Sequence, residues 1–328
     1  MEGSSLSQRK LFVVLNPRGG HADPAAVRQA LRAHLRPPQW LCDIYEVTGS
    51  EDLVPVVRQA VEEGCHAVAA AGGDGTVSAA ANGLVGTRVP LAILPVGTGN
   101  SMARELGLPL SLDRACALIA GAHQVRAIDL MKVGERYYCL NVSAGLSGQA
   151  MRDTTGESKH RYGIVAYVIT ALRALAGFQP RRFFLEIDGR YVSSRGSDVL
   201  VVNGTTPVHS LVRPGLATQL DDGRLGVYVI RARTLLDYAI LAWVLVWGLE
   251  RGDPRVRVYE ATRSVTIQAR PPAVVQGDGE GIGETPVTVS LVRQALRVIV
   301  PARPADTRNL ADAVMDRVRR PGDSRLGD

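Results

Sequence analysis

Aromatic residues are scarce in this chain, at 5% of its 328 residues. Rings are too few to build the stacking platforms that hold single-stranded nucleic acid, so no nucleic-acid partner is expected. No apolar run reaches the roughly 18 residues that cross a bilayer. Met1 to Lys10 is polar, and Leu11 to Leu15 is too short for the apolar core of a secretory leader. The histidines (His21, His34, His66, His123, His160 and His209) show no pairing at metal-ligand spacing. Neither do the cysteines Cys42, Cys65, Cys116 and Cys139, which lie in or beside apolar stretches and read as reduced, buried thiols of a cytoplasmic protein. Charge of one sign is in only mild excess. The 38 basic and 32 acidic residues give a net +6, which suits anionic partners such as nucleotides or lipid headgroups.

Glycine, by contrast, is plentiful and placed with purpose. Gly72, Gly73 and Gly75 flank Asp74, directly after the apolar run His66–Ala71 and before the helix-like stretch Val77–Leu84. A strand end, a glycine loop and a helix N-terminus form an anion site, because unpaired backbone N–H groups and the helix dipole face outward there. A carboxylate at that place repels phosphates unless a cation lies between, which points to Mg²⁺. The same residues also suit a plain strand-to-helix turn with Asp74 as N-cap, and the loop alone leaves both open.

The surrounding chain favours a ligand site. Leu11–Leu15, Trp40–Val47, His66–Ala71 and Pro90–Leu94 read as strands. Helices are expected over Ala25–Leu35, capped by Asp23 ahead of Pro24, and over Glu51–Glu63, capped by Ser50 and closed by Gly64. Two more are expected near Ser101–Leu106 and Leu112–Ala120. Strict strand–helix alternation argues for a doubly wound, largely parallel α/β sheet, whose ligands bind beyond the carboxyl ends of the strands. Asn16, Thr48, Asp74 and Thr98 all stand just past such ends. Beyond Leu130 the texture becomes a series of short β-rich runs broken by turn residues, among them Arg136–Val142, Ser264–Ala269 and Ala295–Val300, as in an antiparallel β-sandwich. One helix, about Gly163–Ala176, interrupts the series. The apolar stretch Leu235–Leu249, with Trp243 and Trp247, suits a buried helix or an interfacial one. The expected domains are 1–130 and 131–300.

Taken in order, these motifs resemble the lipid kinases of the diacylglycerol kinase catalytic-domain superfamily in their soluble bacterial form, with sphingosine and ceramide kinases as relatives. The resemblance runs from about Leu11 to Val300. It rests on Asn16-Pro17 with Gly19-Gly20, on Gly72–Val77, Pro95–Asn100 and Ala103–Gly107, and on Ile128-Asp129, Asn141–Gly145, Asp222-Gly223 and Asp278-Gly279-Glu280.

The resemblance implies an ATP- and Mg²⁺-dependent enzyme that phosphorylates the hydroxyl of a diacylglycerol-like membrane lipid, with the active site in the cleft between the two domains. It implies that Gly72, Gly73, Asp74, Gly75 and Thr76 cradle the phosphates, with Asn16, Thr48, Thr98 and Glu280 as further nucleotide contacts. Asp74 would hold the metal, supported by Asp129, and Asp278 would be the general base. Asp222, with the carbonyls of Gln219 and Arg224, would take a second, structural Mg²⁺. The tail 301–328 would pack back on the first domain. Peripheral contact with the inner face of the membrane is implied, and a homodimer is allowed.

The residues themselves suit these roles. Phosphoryl transfer needs charge neutralised on the phosphates and an oxygen nucleophile held in line. Asp278, set between Gly277 and Gly279, is presented openly enough to serve the second need, although an ordinary Asp-Gly turn would look the same. The run Gly277–Ile282 does not continue into a helix, which removes a dinucleotide fingerprint. One departure is Ser101, where the bacterial diacylglycerol kinases carry an acid. It leaves open a sphingoid- or ceramide-type kinase and a non-catalytic lipid- or nucleotide-binding regulator. An NAD kinase-like enzyme shares Gly-Gly-Asp-Gly-Thr but not the later motifs.

Overall fold

The computed structural model describes residues 8–19, 23–49, 51–148, 180–204, 219–232, 234, 236–237 and 254–302. The expected helix Gly163–Ala176, the stretch Leu235–Leu249 apart from two residues, nearly all of the tail 301–328, and Ser50 lie outside them.

The first half alternates as expected: β1 (Arg9–Leu15), α1 (Pro24–His34), β2 (Trp40–Glu46), α2 (Leu53–Glu62), β3 (Ala67–Gly72), α3 (Asp74–Leu84), β4 (Leu91–Pro95), α4 (Ser101–Glu105) and α5 (Leu112–Ala120). The strands pair in parallel in the order β2-β1-β3-β4. Period-2 alternation divides each strand between two cores. Leu11, Val13 and Leu15 pack with α1 and α5, while Phe12 and Val14 pack with α2 and α3, so the sheet is covered on both faces. Asp23 caps α1, its Oδ1 accepting the Ala25 amide at 2.9 Å. The second helix starts later than expected. Asp52 caps it by accepting the Val54 amide at 3.0 Å, and Glu51 turns back to the Thr48 and Gly49 amides.

The second half adds β5 (His123–Val133), β6 (Arg136–Tyr138), β7 (Asn141–Gly145), β8 (Arg181–Ile187), β9 (Arg190–Gly196), β10 (Asp198–Val202), β11 (Leu225–Ile230), β12 (Val256–Ala261), β13 (Ser264–Arg270), β14 (Val274–Gly277), β15 (Glu280–Glu284) and β16 (Val287–Pro301). One layer of the sandwich has the order β12-β11-β10-β7-β14-β15, and the other is an extension of the parallel sheet. Phe183, Leu185, Val265, Ile267 and Val289 from that extension pack against Val142, Ala144, Val199, Val201 and Val227. The architecture is therefore an α/β domain followed by an antiparallel β-sandwich.

Two expectations change. The run Arg136–Val142 is broken at Cys139–Leu140, whose amides are donated to a side chain instead of a strand. The late run Ala295–Val300 is the end of a 15-residue strand, β16, that belongs to both halves. Its start pairs β13 in the sandwich, its length pairs β5, and Val298 pairs Leu91 of β4. The chain thus returns to the first sheet within a strand, before the tail begins. A bulge between Val292 and Leu296 bends β16 at the crossing, with Gln294 at φ 50°.

Candidate active site

The glycine loop lies at the carboxyl end of β3. Gly73 is the N-cap of α3 and no side chain caps the helix, so its leading N–H groups face the cleft. The loops after β1, β3 and β4 meet there at backbone contact. A Cβ on Gly97 would stand 2.6 Å from the Gly73 Cα, and one on Gly19 would stand 2.8 Å from the Gly73 nitrogen. These glycines are required by close approach of three chain segments. Asn16 donates to the buried Thr76 hydroxyl at 3.1 Å, tying the end of β1 to the first turn of α3. Thr48 gives both its amide (2.7 Å) and its hydroxyl (3.3 Å) to Glu51. The Thr48 N–H is the leading reason why the Glu51 carboxyl lies below its ordinary range. Thr98 is exposed in the loop after β4.

Asp74 is the first residue of α3 and is half-buried. Its Oδ1 accepts the Ser101 amide at 2.7 Å and its Oδ2 accepts the Ser101 hydroxyl at 3.3 Å. Ser101, noted as a departure in the sequence, therefore orients the Asp74 carboxylate through its amide and its hydroxyl.

Asp278 approaches from the other domain. Asp278 and Gly279 form the two-residue loop between β14 and β15, with φ of 47° and 87°. Two successive left-handed residues make the tight hairpin turn favoured by Asp-Gly. The expected Asp-Gly turn is thus present, and its carboxylate is turned inward to the chain. Oδ1 accepts the amides of Leu140 and Asn141, each at 2.9 Å, and Oδ2 accepts that of Cys139 at 2.5 Å. A carboxylate offers about four lone-pair sites, so one on Oδ2 stays available to a proton from another group. Burial pushes the Asp278 carboxyl above its ordinary value. The three amides pull it down, and the charge of Asp74 pushes it further up. The buried Cys139 thiol is raised by burial and then by the charges of Asp278 and Asp74.

A cavity of about 90 Å³ joins them, lined by Asp74, Ser101, Met102, Cys139, Asn141 and Asp278 among others. It shares Ser78 with a larger cavity of about 490 Å³ between α2, α3 and the β5–β6 hairpin. Glu280 lines that larger space, pairs with Arg136 at 3.7 Å, and lies 3.6 Å from where a Cβ on Gly75 would stand. The half-buried Asn82 of α3 holds the hairpin in place: its amide nitrogen donates to the Tyr137 carbonyl and its oxygen accepts the Tyr137 amide, both at 2.9 Å.

Two residues expected to hold metal are engaged by backbone amides. Asp129, 1% exposed, accepts the Gly223 amide at 2.7 Å on one oxygen and the Gln294 amide at 2.8 Å on the other. It locks the β16 bulge to the 219–223 turn where the domains join, instead of backing Asp74. Asp222 turns its carboxylate to the amides of Gln219 (2.8 Å) and Arg224 (2.9 Å), and Arg293 donates to the Gly223 carbonyl at 3.3 Å. Those N–H groups and the guanidinium close the turn. Among the described residues no three His, Cys, Asp or Glu side chains gather to hold a metal. Asp74 alone still suits Mg²⁺ in the way kinases use it, with one carboxylate, waters and the phosphates of the substrate completing the shell.

Comparison with known proteins agrees with the two-part fold. Residues 10–133 match the diacylglycerol kinase catalytic domain, and residues 140–300 match the YegS C-terminal NAD kinase beta sandwich-like domain. The chain belongs to the diacylglycerol kinase catalytic-domain superfamily. Among its curated relatives, a diacylglycerol kinase of Mycobacterium tuberculosis is 29% identical over 304 residues, spanning 89% of this chain and 95% of that one. A diacylglycerol kinase of Bacillus subtilis is 25% identical over 267 residues, 80% of this chain and 86% of that one. The crystal structure of a diacylglycerol kinase from Bacillus anthracis superposes with a TM-score of 0.66 at 20% identity, covering 89% of this chain and 97% of that one, and so shares the fold. Within the superfamily frame, sequence reading missed the amides of Cys139–Asn141 and the Asn82–Tyr137 clamp. Backbone donors carry no residue signature, and an asparagine in a helix signals nothing until its partner is placed.

Proposed function

We propose that the chain is an ATP-dependent lipid kinase that transfers the γ-phosphate to the hydroxyl of a diacylglycerol-like lipid. The observation that carries this reading is the convergence of Asp74 and Asp278, from different domains, on one small cavity beside an uncapped helix N-terminus. The phosphates of ATP would rest on the N–H groups of Gly73 to Gly75, with the rest of the nucleotide in the larger cavity by Asn82, Arg136 and Glu280. Mg²⁺, when bound with ATP, neutralises phosphate charge, and Asp74 is the carboxylate that would hold it.

Asp278 would accept the proton of the attacking hydroxyl on the free site of Oδ2. Its raised pKa makes it a stronger base than an exposed aspartate, while the three amides keep it aimed. The rate should therefore climb with pH through a value above the usual 3.8 of aspartate. Incubation with labelled ATP and a mixed lipid extract, followed by mass identification of the product, tests the reading. A labelled lipid is expected; a labelled soluble metabolite, as from an NAD kinase-like enzyme, or no transfer at all would refute it.

A further inference from the structure

A buried polar chain leads to the Asp278 turn from behind. Gln276, only 8% exposed, accepts the Gly279 amide on Oε1 at 2.8 Å. Its Nε2 donates to the Ser143 hydroxyl at 2.6 Å and to Asn141 Oδ1 at 3.1 Å. The Ser143 hydroxyl meets the Ser147 hydroxyl at 2.7 Å, and the Ser147 amide donates to the buried Asp198 at 2.8 Å. The Asp278 amide donates to the Asn141 carbonyl at 2.9 Å, so the turn is held at both of its left-handed residues.

Asp-Gly adopts this turn readily, so the contacts behind it fix where the turn stands rather than its type. Hairpin loops of two residues ordinarily face solvent with nothing behind them. Here one carboxamide supplies the contact, and it joins the turn to β7, which directly follows the Cys139–Leu140 segment and opens on Asn141; the amides of these three residues donate to the Asp278 carboxylate. If Gln276 lets go, Gly279 loses its partner, and the turn can rotate away from the Cys139–Asn141 amides.

We infer that Gln276, anchored by Ser143 and Asn141, is a positioning residue for phosphoryl transfer that sets the height and rotation of the Asp278–Gly279 turn. The part of the inference concerning transfer rests on the lipid-kinase reading, whereas the part concerning the turn does not. The test uses the full chain with Gln276→Met, which keeps length and apolar volume, and Ser143→Ala, which removes one anchor of Gln276 together with the Ser147 hydroxyl contact. Amide hydrogen exchange is read at Gly279, and lipid phosphorylation is read as kcat and KM for ATP. Gln276→Met should speed Gly279 exchange at least tenfold and lower kcat roughly 10- to 100-fold with KM for ATP within twofold of wild type, and Ser143→Ala should do both to a smaller extent. Unchanged Gly279 exchange in both variants overturns the inference. So does a kcat equal to wild type in variants whose exchange has risen, or a fall in kcat matched by the loss of folded protein. A wild-type chain that labels no lipid refutes the kinase reading alone, since the exchange measurement still judges the turn.

Discussion

Replacing Asp198 with Asn should flatten the dependence of stability on pH. Asp198 is 5% exposed at the start of β10; one oxygen accepts the Ser147 amide, and the other has no hydrogen-bond partner among the described residues. Burial raises its pKa from 3.8 to about 7, against the pull of the Ser147 hydrogen bonds and the nearby Arg181 charge. Between about pH 4 and pH 7 the folded protein keeps a proton that the unfolded chain has released. The stabilisation is fully present below about pH 4 and is lost as pH rises through about 7. A gap of about three pH units, at roughly 1.4 kcal/mol each, makes the loss ~4 kcal/mol in the limit of a dry site. Asn keeps an acceptor for the Ser147 amide and does not titrate. Urea denaturation of both proteins at pH 5, 6, 7 and 8 measures the difference. Wild type should lose on the order of 1 kcal/mol per pH unit relative to Asp198→Asn up to pH 7 and then run parallel to it. A difference between the two proteins that stays constant across this range would refute the reasoning.

Asp129→Asn leaves one of two buried N–H groups facing an amide nitrogen, so it should destabilise the fold by ~3 kcal/mol in denaturant, with no change in the Mg²⁺ concentration needed for activity. An unaltered midpoint with a raised Mg²⁺ requirement would return Asp129 to the metal. Gly97→Ala forces a Cβ to within 2.6 Å of the Gly73 backbone, so it should weaken ATP binding at least tenfold by calorimetry. Native affinity would show that the loop contact is not needed for the cradle.

The α/β half was legible because its information is local. Leu11–Leu15 and His66–Ala71 are continuous apolar runs, Asp23-Pro24 announces a helix start, and Gly64, at φ 80°, marks a helix stop. The sandwich was legible as a class but not in register. Cys139 and Leu140 leave the strand pattern for a carboxylate nearly 140 residues later, and no local signal reports such a debt. β16 hides its dual membership because its alternation breaks between Val289 and Leu296, so the sequence displays two short runs where the structure has one strand bent by a bulge. Asp74 and Asp278 stood out because glycine isolates each carboxylate. Asp129 and Asp222 looked equivalent to them, and backbone amides hold Asp129, Asp222 and Asp278 alike; what sets Asp278 apart is the cavity it shares with Asp74, which no local signal displays.

The account stands on one pairing across the domains, and Asp278→Asn tests it most directly. The asparagine can still accept the Leu140 and Asn141 amides, but it cannot take a proton from an attacking hydroxyl. Transfer of labelled phosphate from ATP to lipid should fall by about 10² to 10⁴, with ATP binding by calorimetry unchanged. Lipid phosphorylation at the wild-type rate by that variant would contradict the account.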